Sequence, residues 1–243
     1  MSLPSAPVIG TLFTTRRGGV SVAPYDDLNL GGAVGDDPAA VRVNRAMLAE
    51  RVGLPADRFV WMNQVHGVSV RVVGRHGDGP PGECDGIVTA TRGVALGVLA
   101  ADCVPVLAGD ARAGVIGAAH AGRRGAASGI AVRLVSAMAD LGAGAADITV
   151  WLGPAICGRC YEVPGDLRDE VERTLSGSAC LTDRGTPGLD LRAGLRRQLT
   201  ALGVARVEVD TRCTHTDPDL FSHRRGAPTG RQAGLIWCAP GGA

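Results

Sequence analysis

The chain has 243 residues with 25 basic and 24 acidic side chains, and 45% of its residues are hydrophobic. This near-neutral balance is typical of a globular chain with a buried core. It argues against nucleic acid as a partner, because neither a basic domain nor basic runs interleaved with aromatic residues are present. Every basic residue is Arg, which excludes a Walker A lysine and a pyridoxal-phosphate lysine.

Cysteine content and hydropathy indicate the expected cellular location of the protein. Seven cysteines form an odd set without a small disulfide framework, and Met1 is not followed by a charged and then apolar leader. No apolar run approaches the roughly 20 residues that cross a bilayer. We therefore expect a cytoplasmic protein that does not bind membranes. As a separate expectation, the protein is a monomer or a weak homodimer.

The first half of the chain predicts short strands around one helix. An apolar, β-branched strand is expected over 8–15, followed by a Gly-containing loop over 16–21. Asp37 and Pro38 at the start and Gly53 at the end predict a helix over 38–52. Further strands are expected at 59–62, 68–73, 94–99, 104–107 and 114–119, and a surface loop at 75–82.

The second half predicts helices that alternate with strands. The spacing of Ile130, Leu134 and Met138 indicates one long helix over 124–141. Two further helices are expected over 167–175 and 191–202, the latter capped by Asp190 and stopped by Gly203. Strands are expected over 148–152, 204–209 and 233–237. The whole pattern predicts a single compact α/β domain over 1–243, with mixed β-sheets flanked by helices.

Three short segments contain the residues with the clearest metal chemistry. His66, Cys103 and His120 could give two imidazoles and a thiolate to a tetrahedral zinc with one open position, which is typical of a catalytic site. Cys103 and His120 both fall at the ends of predicted strands, where rigid elements hold functional groups in place. Spacing alone does not distinguish three ligands from three unrelated core or loop residues.

Other polar motifs have ordinary as well as functional interpretations. Cys157 and Cys160 form a lone C-x-x-C, for which two reduced cysteines in a tight turn are favoured over a zinc ribbon or a redox motif. Asp102 either carries a proton or caps a turn. His215 and His223 lie among loop residues, so a polar surface is favoured over a second metal site.

Arginines beside glycine-rich segments are candidates for anion binding. Arg16, Arg123, Arg124 and Arg231 have forked guanidinium groups and lie near exposed backbone N–H groups, a combination that binds phosphate. Taken singly, each is more typical of a solvated surface arginine.

An ordered series of motifs resembles the YfiH-like purine nucleoside phosphorylases, a family also described as multicopper polyphenol oxidases or laccase-domain proteins. The series covers nearly the whole chain: FTTR at 13–16, LNLG at 28–31, VGDDP at 34–38, NQVHG at 63–67, ADCVP at 101–105, HAGRRG at 120–125, GPAI at 153–156, CYEV at 160–163 and TGRQ at 229–232. The resemblance implies a YfiH-like fold, similar to that of cytotoxic necrotizing factors, and a zinc held by His66, Cys103 and His120.

The resemblance also implies an activity and its small-molecule partners. It implies phosphorolysis of adenosine, inosine, guanosine and methylthioadenosine, together with deamination of adenosine, so purine nucleosides and phosphate would be bound. For this chemistry Asp102 and Glu162 are candidate catalytic proton carriers. The candidate substrate-binding residues are Arg16, Asn29, Gln64 and Arg231.

Three alternatives stay open beside this interpretation. A copper oxidase is disfavoured, because a laccase needs a histidine-rich trinuclear cluster in addition to its blue-copper centre and the chain has five His in total. Cys103 and His120 could be the nucleophile and base of a cysteine hydrolase, for example one that edits peptidoglycan precursors. A non-catalytic zinc module is disfavoured because three ligands leave the ion open.

The chain also departs from the family pattern at two places. His223 stands where a tyrosine is expected before the arginine pair, a difference that bears on base preference if this position contacts the purine. Cys157 and Arg159 are unusual before Tyr161.

Overall fold

The computed structural model describes residues 8–74 and 80–239. The α-helices are α1 (Pro38–Val52), α2 (Arg123–Ala127), α3 (Ile130–Asp140), α4 (Gly165–Thr174) and α5 (Leu191–Ala201). The strands are β1 (Ile9–Phe13), β2 (Phe59–Trp61), β3 (Val70–Val72), β4 (Gly86–Thr89), β5 (Ala95–Ala100), β6 (Val104–Asp110), β7 (Val115–Ala121), β8 (Thr149–Leu152), β9 (Ala179–Leu181), β10 (Pro187–Leu189), β11 (Arg206–Val209) and β12 (Gln232–Cys238).

The strands form two mixed sheets and one hairpin. The four-stranded sheet has the order β1-β12-β5-β2, with β2 and β5 parallel and the other neighbours antiparallel. The six-stranded sheet has the order β11-β8-β6-β7-β4-β3, in which β11–β8 and β3–β4 are parallel. Strands β9 and β10 pair separately. The predicted mixed α/β class is confirmed.

The centre of the six-stranded sheet is buried on both faces, to which successive side chains of each strand point in turn. In β6, Leu107 belongs to the apolar cluster shared with the four-stranded sheet, whereas Val106 and Ala108 pack in the cluster that includes α3 and α5. The side chains of β7 are likewise shared between these two apolar clusters. All residues of β6 and β7 are buried. His120 lies within β7 and Cys103 directly precedes β6, so this buried centre positions two of the residues described below.

Helix boundaries follow the predicted capping signals. The Asp37 side chain accepts the backbone N–H of Ala39 at 2.8 Å, Pro38 opens α1, and Gly53 ends it in the left-handed conformation with φ of 75°. Asp190 caps α5 as predicted, accepting a backbone N–H at 3.0 Å.

The predicted helix over 124–141 is wrong in one respect, because it is two helices. The chain breaks between α2 and α3 at Gly129, whose φ of 88° is incompatible with a continuous right-handed helix. The strand predicted over 114–119 also extends further, so His120 lies inside β7 rather than after it.

Three strands were not predicted. Strand β4 is a run of only four residues, and the β9–β10 hairpin lies in a polar, Gly-containing stretch that reads as a loop. The predicted surface loop at 75–82 falls mostly, with His76, outside the described residues. Across the described ranges no helix combines the length and apolar content needed to span a membrane.

Candidate metal and substrate site

His66, Cys103 and His120 lie together although they are distant in sequence. Their three ligand atoms are all within 4.8 Å of one another. Cys103 Sγ is 3.9 Å from His66 Nε2, and the two imidazole rings stand edge to face with centroids 4.7 Å apart. The structure thus places the three predicted ligand residues in one group whose donor atoms suit a tetrahedral zinc.

These residues meet where the chain passes from one sheet to the other. Val104 at the start of β6 pairs with Ala121 at the end of β7, which places Cys103 beside His120. Cys103 stands in the connection that leaves β5 of the four-stranded sheet for β6 of the six-stranded sheet. His66 stands in the connection between β2 and β3, which passes between the same two sheets. The site therefore lies where two chain crossings meet the end of β7.

Asp85 holds both imidazoles in place. Its fully buried carboxylate lies 2.8 Å from His120 Nδ1, so His120 turns Nε2 toward the site. The same carboxylate accepts the backbone N–H groups of Val65, His66 and Gly67 at 3.1, 2.9 and 2.7 Å. These bonds fix the turn at His66, whose φ of 63° is unusual for a residue other than glycine.

Asp85 was missed by the sequence interpretation. The only signal for it is indirect, because a ligating histidine generally donates its other nitrogen to a carboxylate or carbonyl. The chain has 24 acidic residues, and no local motif identifies which of them meets His120 across the sheet.

Gly122 has no side chain, and this leaves the space that His66, Cys103 and His120 occupy. A Cβ atom at this position would lie 2.7 Å from His66 Cδ2 and 3.1 Å from Cys103 Sγ. Any side chain here would displace the imidazole or the thiol. The glycine after the end of β7 is therefore part of the cradle, and this cradle together with the N, S, N donor set fits a single zinc ion.

The electrostatics of the group favour a thiolate. Burial opposes ionisation of Cys103, but hydrogen bonds and positive charge from His120 and His66 outweigh it and lower the pKa of the thiol to about 6. Burial likewise opposes charge on His120, but Asp85 and the Cys103 thiolate raise its pKa to about 9. The metal-free group therefore contains a thiolate, which is the form that binds metal.

A cavity of about 680 Å³ opens onto these residues. This volume is within the range of pockets that hold drug-sized ligands. Aromatic and cationic side chains share its wall, together with His66, Cys103 and His120. The cationic lining residues are Arg45, Arg123, Arg224 and Arg231, and the aromatic ones are Trp61 and Tyr161.

Two of these arginines lie over aromatic rings. The Arg45 guanidinium is 4.6 Å from the ring centre of Trp61, and that of Arg224 is 5.0 Å from the ring centre of Tyr161. Arg231 donates to the backbone carbonyls of Thr229 and Gly230, and burial lowers its pKa. Arg45, Arg224 and Arg231 are thus held in place beside the cavity, which preorganises them for an anion.

Asp102 lies next to Cys103 and also lines the cavity. Its carboxylate accepts hydrogen bonds from Thr214 Oγ1 at 2.6 Å, from Ser222 Oγ at 2.7 Å and from the Arg224 N–H at 2.7 Å. Asp102 has φ of 93°, an uncommon conformation that these three contacts fix. It joins the connection before β6 to two later loops at the cavity wall.

The structure places the second candidate proton carrier elsewhere. The side chain of Glu162 is exposed, with its carboxylate 3.9 Å from the Arg184 guanidinium, and Glu162 does not belong to the cavity lining. Its backbone carbonyl accepts a hydrogen bond from Arg224 at 3.0 Å. Its role as a proton carrier stays a prediction.

Of the candidate substrate-binding residues, Gln64 and Arg231 line the cavity and Asn29 and Arg16 do not. Gln64 exchanges two hydrogen bonds of 2.8 Å with the backbone of Leu99. Asn29 is fully buried and accepts the Arg231 N–H at 2.9 Å. Arg16 pairs with Asp26 at 2.9 Å.

The two loop histidines have different surroundings. His223, which departs from the family pattern, is exposed at the cavity wall. His215 is half-buried, and no described residue hydrogen-bonds its buried Nδ1 atom. The position of His223 at the wall makes it a candidate contact for the bound molecule.

Comparisons with known proteins agree with the resemblance noted in the motifs. Residues 10–239 match the family described as multi-copper polyphenol oxidoreductase laccase. The chain is 58% identical over 224 residues to a purine nucleoside phosphorylase of Mycobacterium bovis, covering 92% of this chain and 90% of that protein.

Solved structures show the same fold. YlmD from Geobacillus stearothermophilus superimposes with a TM-score of 0.88 at 37% identity, covering 97% of this chain and 93% of that one. The hypothetical protein YfiH of Bacillus licheniformis superimposes with a TM-score of 0.87 at 31% identity, covering 94% and 92%. The predicted YfiH-like fold is confirmed.

Proposed function

The chain belongs to the multi-copper polyphenol oxidoreductase laccase family, and from its 58% identity to a relative named as a purine nucleoside phosphorylase we propose that it is a zinc-dependent purine nucleoside phosphorylase. Its proposed substrates are adenosine, inosine, guanosine and methylthioadenosine, and we propose adenosine deaminase activity at the same site. The observation that supports this most directly is a cavity that combines a His-Cys-His group with four arginines and two aromatic rings.

Zinc is the proposed metal despite the copper in the family description. His66, Cys103 and His120 would hold one ion and leave a position open, which is the pattern of catalytic zinc. A laccase requires a histidine-rich trinuclear cluster as well as a blue-copper centre. The chain has five histidines in total, and two of them are in this group, so too few remain for that chemistry.

The bound zinc would supply Lewis acidity and positive charge at the floor of the cavity. The arginines would supply a binding place for the phosphate dianion. Arg123 and Arg224 lie in the same wall as Cys103, and forked guanidinium groups bind phosphate oxygens in pairs. In phosphorolysis a phosphate oxygen attacks C1′ of the ribose while the bond to the purine breaks, so the cations must hold phosphate near C1′.

The aromatic side chains and the polar loops would hold the purine. Trp61 and Tyr161 offer apolar ring surface to a base beside Arg45 and Arg224, each of which lies over one of these rings. Arg231 and Gln64 are proposed to contact the nucleoside directly from the wall. Asn29 and Arg16, which do not line the cavity, are proposed to act by holding Arg231 and the 16–31 loop in position.

Asp102 is the proposed proton carrier. It lies beside Cys103 at the cavity, and Thr214 and Ser222 fix its carboxylate. Proton transfer by a positioned side chain typically contributes about 10²- to 10⁴-fold to a rate, so Asp102→Asn should lose activity on this scale. Glu162→Gln is the matched test of the second candidate, and its exposed position predicts activity close to that of the unchanged protein.

Incubation of the zinc-loaded protein with adenosine or inosine, with and without phosphate, tests the proposal. Phosphorolysis predicts free base and ribose 1-phosphate only when phosphate is present, and both products should be lost in Cys103→Ala. Base release that does not depend on phosphate would refute it. For deamination, adenosine must give inosine or hypoxanthine.

A metal-free cysteine hydrolase is the second candidate. The observation in its favour is the Cys103 thiolate beside a protonated His120, with a thiol pKa of about 6 and an imidazole pKa of about 9. Removal of metal distinguishes the two functions. A hydrolase of this type stays active after treatment with a chelator, whereas the proposed phosphorylase loses activity and regains it with zinc.

A further inference from the structure

Besides the His66–Cys103–His120 group, a group of three thiols lies behind the wall of the cavity. The sulfur atoms of Cys157, Cys160 and Cys213 are within 4.8 Å of one another, and all three are free cysteines. Cys213 is buried and the other two are half-buried. We propose that these residues form a second metal site, in which three thiolates bind one zinc ion.

The backbone presents the three sulfurs to one point. The carbonyl of Cys157 accepts the N–H groups of Cys160 and Tyr161 at 2.9 Å each, which closes the C-x-x-C segment into a tight turn. Cys213 opens a second turn, in which its carbonyl accepts the Asp217 N–H at 2.9 Å. The two turns face each other, because the Cys157 N–H donates to Cys213 Sγ at 3.3 Å.

The sulfur positions are close to those of a zinc site. A tetrahedron with Zn–S bonds of about 2.3 Å has sulfurs about 3.8 Å apart, so the observed group needs to contract by about 1 Å or less to close on an ion. The backbone N–H of Cys157 is directed at the Cys213 sulfur. Donors of this kind stabilise a thiolate, which is the ligand form of cysteine.

Sequence spacing alone favoured two ordinary cysteines, since a zinc ribbon needs a second C-x-x-C pair. The third ligand comes instead from residue 213, which the isolated bridge between Ala155 and Cys213 brings alongside. The fourth position is left to solvent. Cys180 is close but differently engaged, because its thiol donates to the Gly158 carbonyl at 3.4 Å.

A metal here would stabilise the wall that holds Asp102. Thr214, directly after Cys213, donates from its backbone N–H to Ala155 and from its hydroxyl to Asp102. Ile156, directly before Cys157, donates its N–H to the Asp102 carbonyl at 3.0 Å. The ion would therefore join the two segments that contact Asp102, without touching the bound substrate.

The test measures metal binding in the full chain, with the first site disabled. Cys103→Ala with His66→Asn removes two of that site's ligands, and Asn suits the positive φ at position 66. In this background we expect one zinc per chain by elemental analysis after dialysis. With cobalt as the probe, we expect intense sulfur-to-metal charge-transfer absorption, which only thiolate ligands produce.

Adding Cys157→Ser and Cys160→Ser should abolish both the bound zinc and the absorption. The matched control is Cys180→Ser, which removes a neighbouring thiol and should change neither. The melting temperature gives a second readout, because zinc should raise it in the first background and leave it unchanged once the thiols are replaced.

Two results would overturn the proposal. One is a first background without bound zinc or charge-transfer absorption. The other is a Cys157–Cys160 disulfide found by alkylation and mass measurement of the protein purified under reducing conditions. Neither readout involves nucleosides, so this proposal stands or fails separately from the proposed activity.

Discussion

Asp85→Asn is the perturbation that separates a built metal site from a chance group of donors. In the structure one carboxylate oxygen faces the Val65 and Gly67 N–H groups, and the other faces the His66 N–H and His120 Nδ1. An asparagine has one acceptor oxygen, so its NH₂ group must face one of these two pairs of donors.

The expected cost follows from that count. Two donors lose their acceptor, and each would cost about 1 to 3 kcal/mol if it were fully buried; because the backbone donors are only part-buried, the free energy of unfolding should fall by about 1 to 3 kcal/mol in total. Loss of the carboxylate that orients a ligating histidine typically lowers metal affinity by about 10- to 100-fold. The pKa of His120, which Asp85 raises, should fall as well.

Two assays and one control complete this test. Urea denaturation gives the free energy of unfolding, and competition with a chromophoric chelator gives zinc affinity. The control is Asp110→Asn, because Asp110 is equally buried in β6 and accepts three backbone N–H groups at the far end of the strand. It should lose stability but keep zinc affinity. Equal zinc affinities in Asp85→Asn and the unchanged protein would refute the orienting role.

Three further predictions concern the cradle, the thiol and the helix break. Gly122→Ala inserts a Cβ atom 2.7 Å from His66, which should weaken zinc binding by about 1 to 3 kcal/mol in competition assays. Alkylation of Cys103 in metal-free protein should rise with pH to half its maximum near pH 6, because thiolate reacts and its pKa is lowered to about 6 from 9.0; acidification through this range should suppress it. Gly129→Ala should lower the free energy of unfolding by about 1 to 2 kcal/mol, because φ is 88° there.

A result that would contradict each of these predictions can be stated, and the two glycine substitutions also have control variants. Gly226→Ala meets no atom within 4 Å, so it should bind zinc normally; unchanged binding in Gly122→Ala would contradict the cradle. A midpoint of alkylation near pH 9 would show that the histidines do not stabilise the thiolate. For the helix break, the control is Gly165→Ala, because Gly165 lies in a helix and has no positive φ. Its free energy of unfolding should change little. An equally small change in Gly129→Ala would contradict the strained backbone.

The sequence predicted best what is determined locally. Asp37, Pro38 and Gly53 mark both ends of α1 because capping involves neighbouring residues. The break at Gly129 was missed because the apolar spacing continues from α2 to α3 across it. The β9–β10 hairpin was missed because its pairing is not visible in a polar, Gly-containing stretch.

The site residues also fall into those identified from the sequence and those found only in the structure. His66, Cys103 and His120 were identified by their chemistry and by the motifs around them, whereas Asp85 reaches His120 only through the pairing of β4 with β7. Cys213 joins Cys157 and Cys160 through one long-range bridge. Contacts of this kind depend on sheet topology, which no short segment of the sequence encodes.

The most direct test of the central claim uses inosine and radiolabelled phosphate with the zinc-loaded protein. If the His66–Cys103–His120 site catalyses phosphorolysis, the label should appear in ribose 1-phosphate in equal amounts with hypoxanthine, and Cys103→Ala should form neither. Hypoxanthine without labelled ribose 1-phosphate, or labelled product undiminished in Cys103→Ala, would contradict the account.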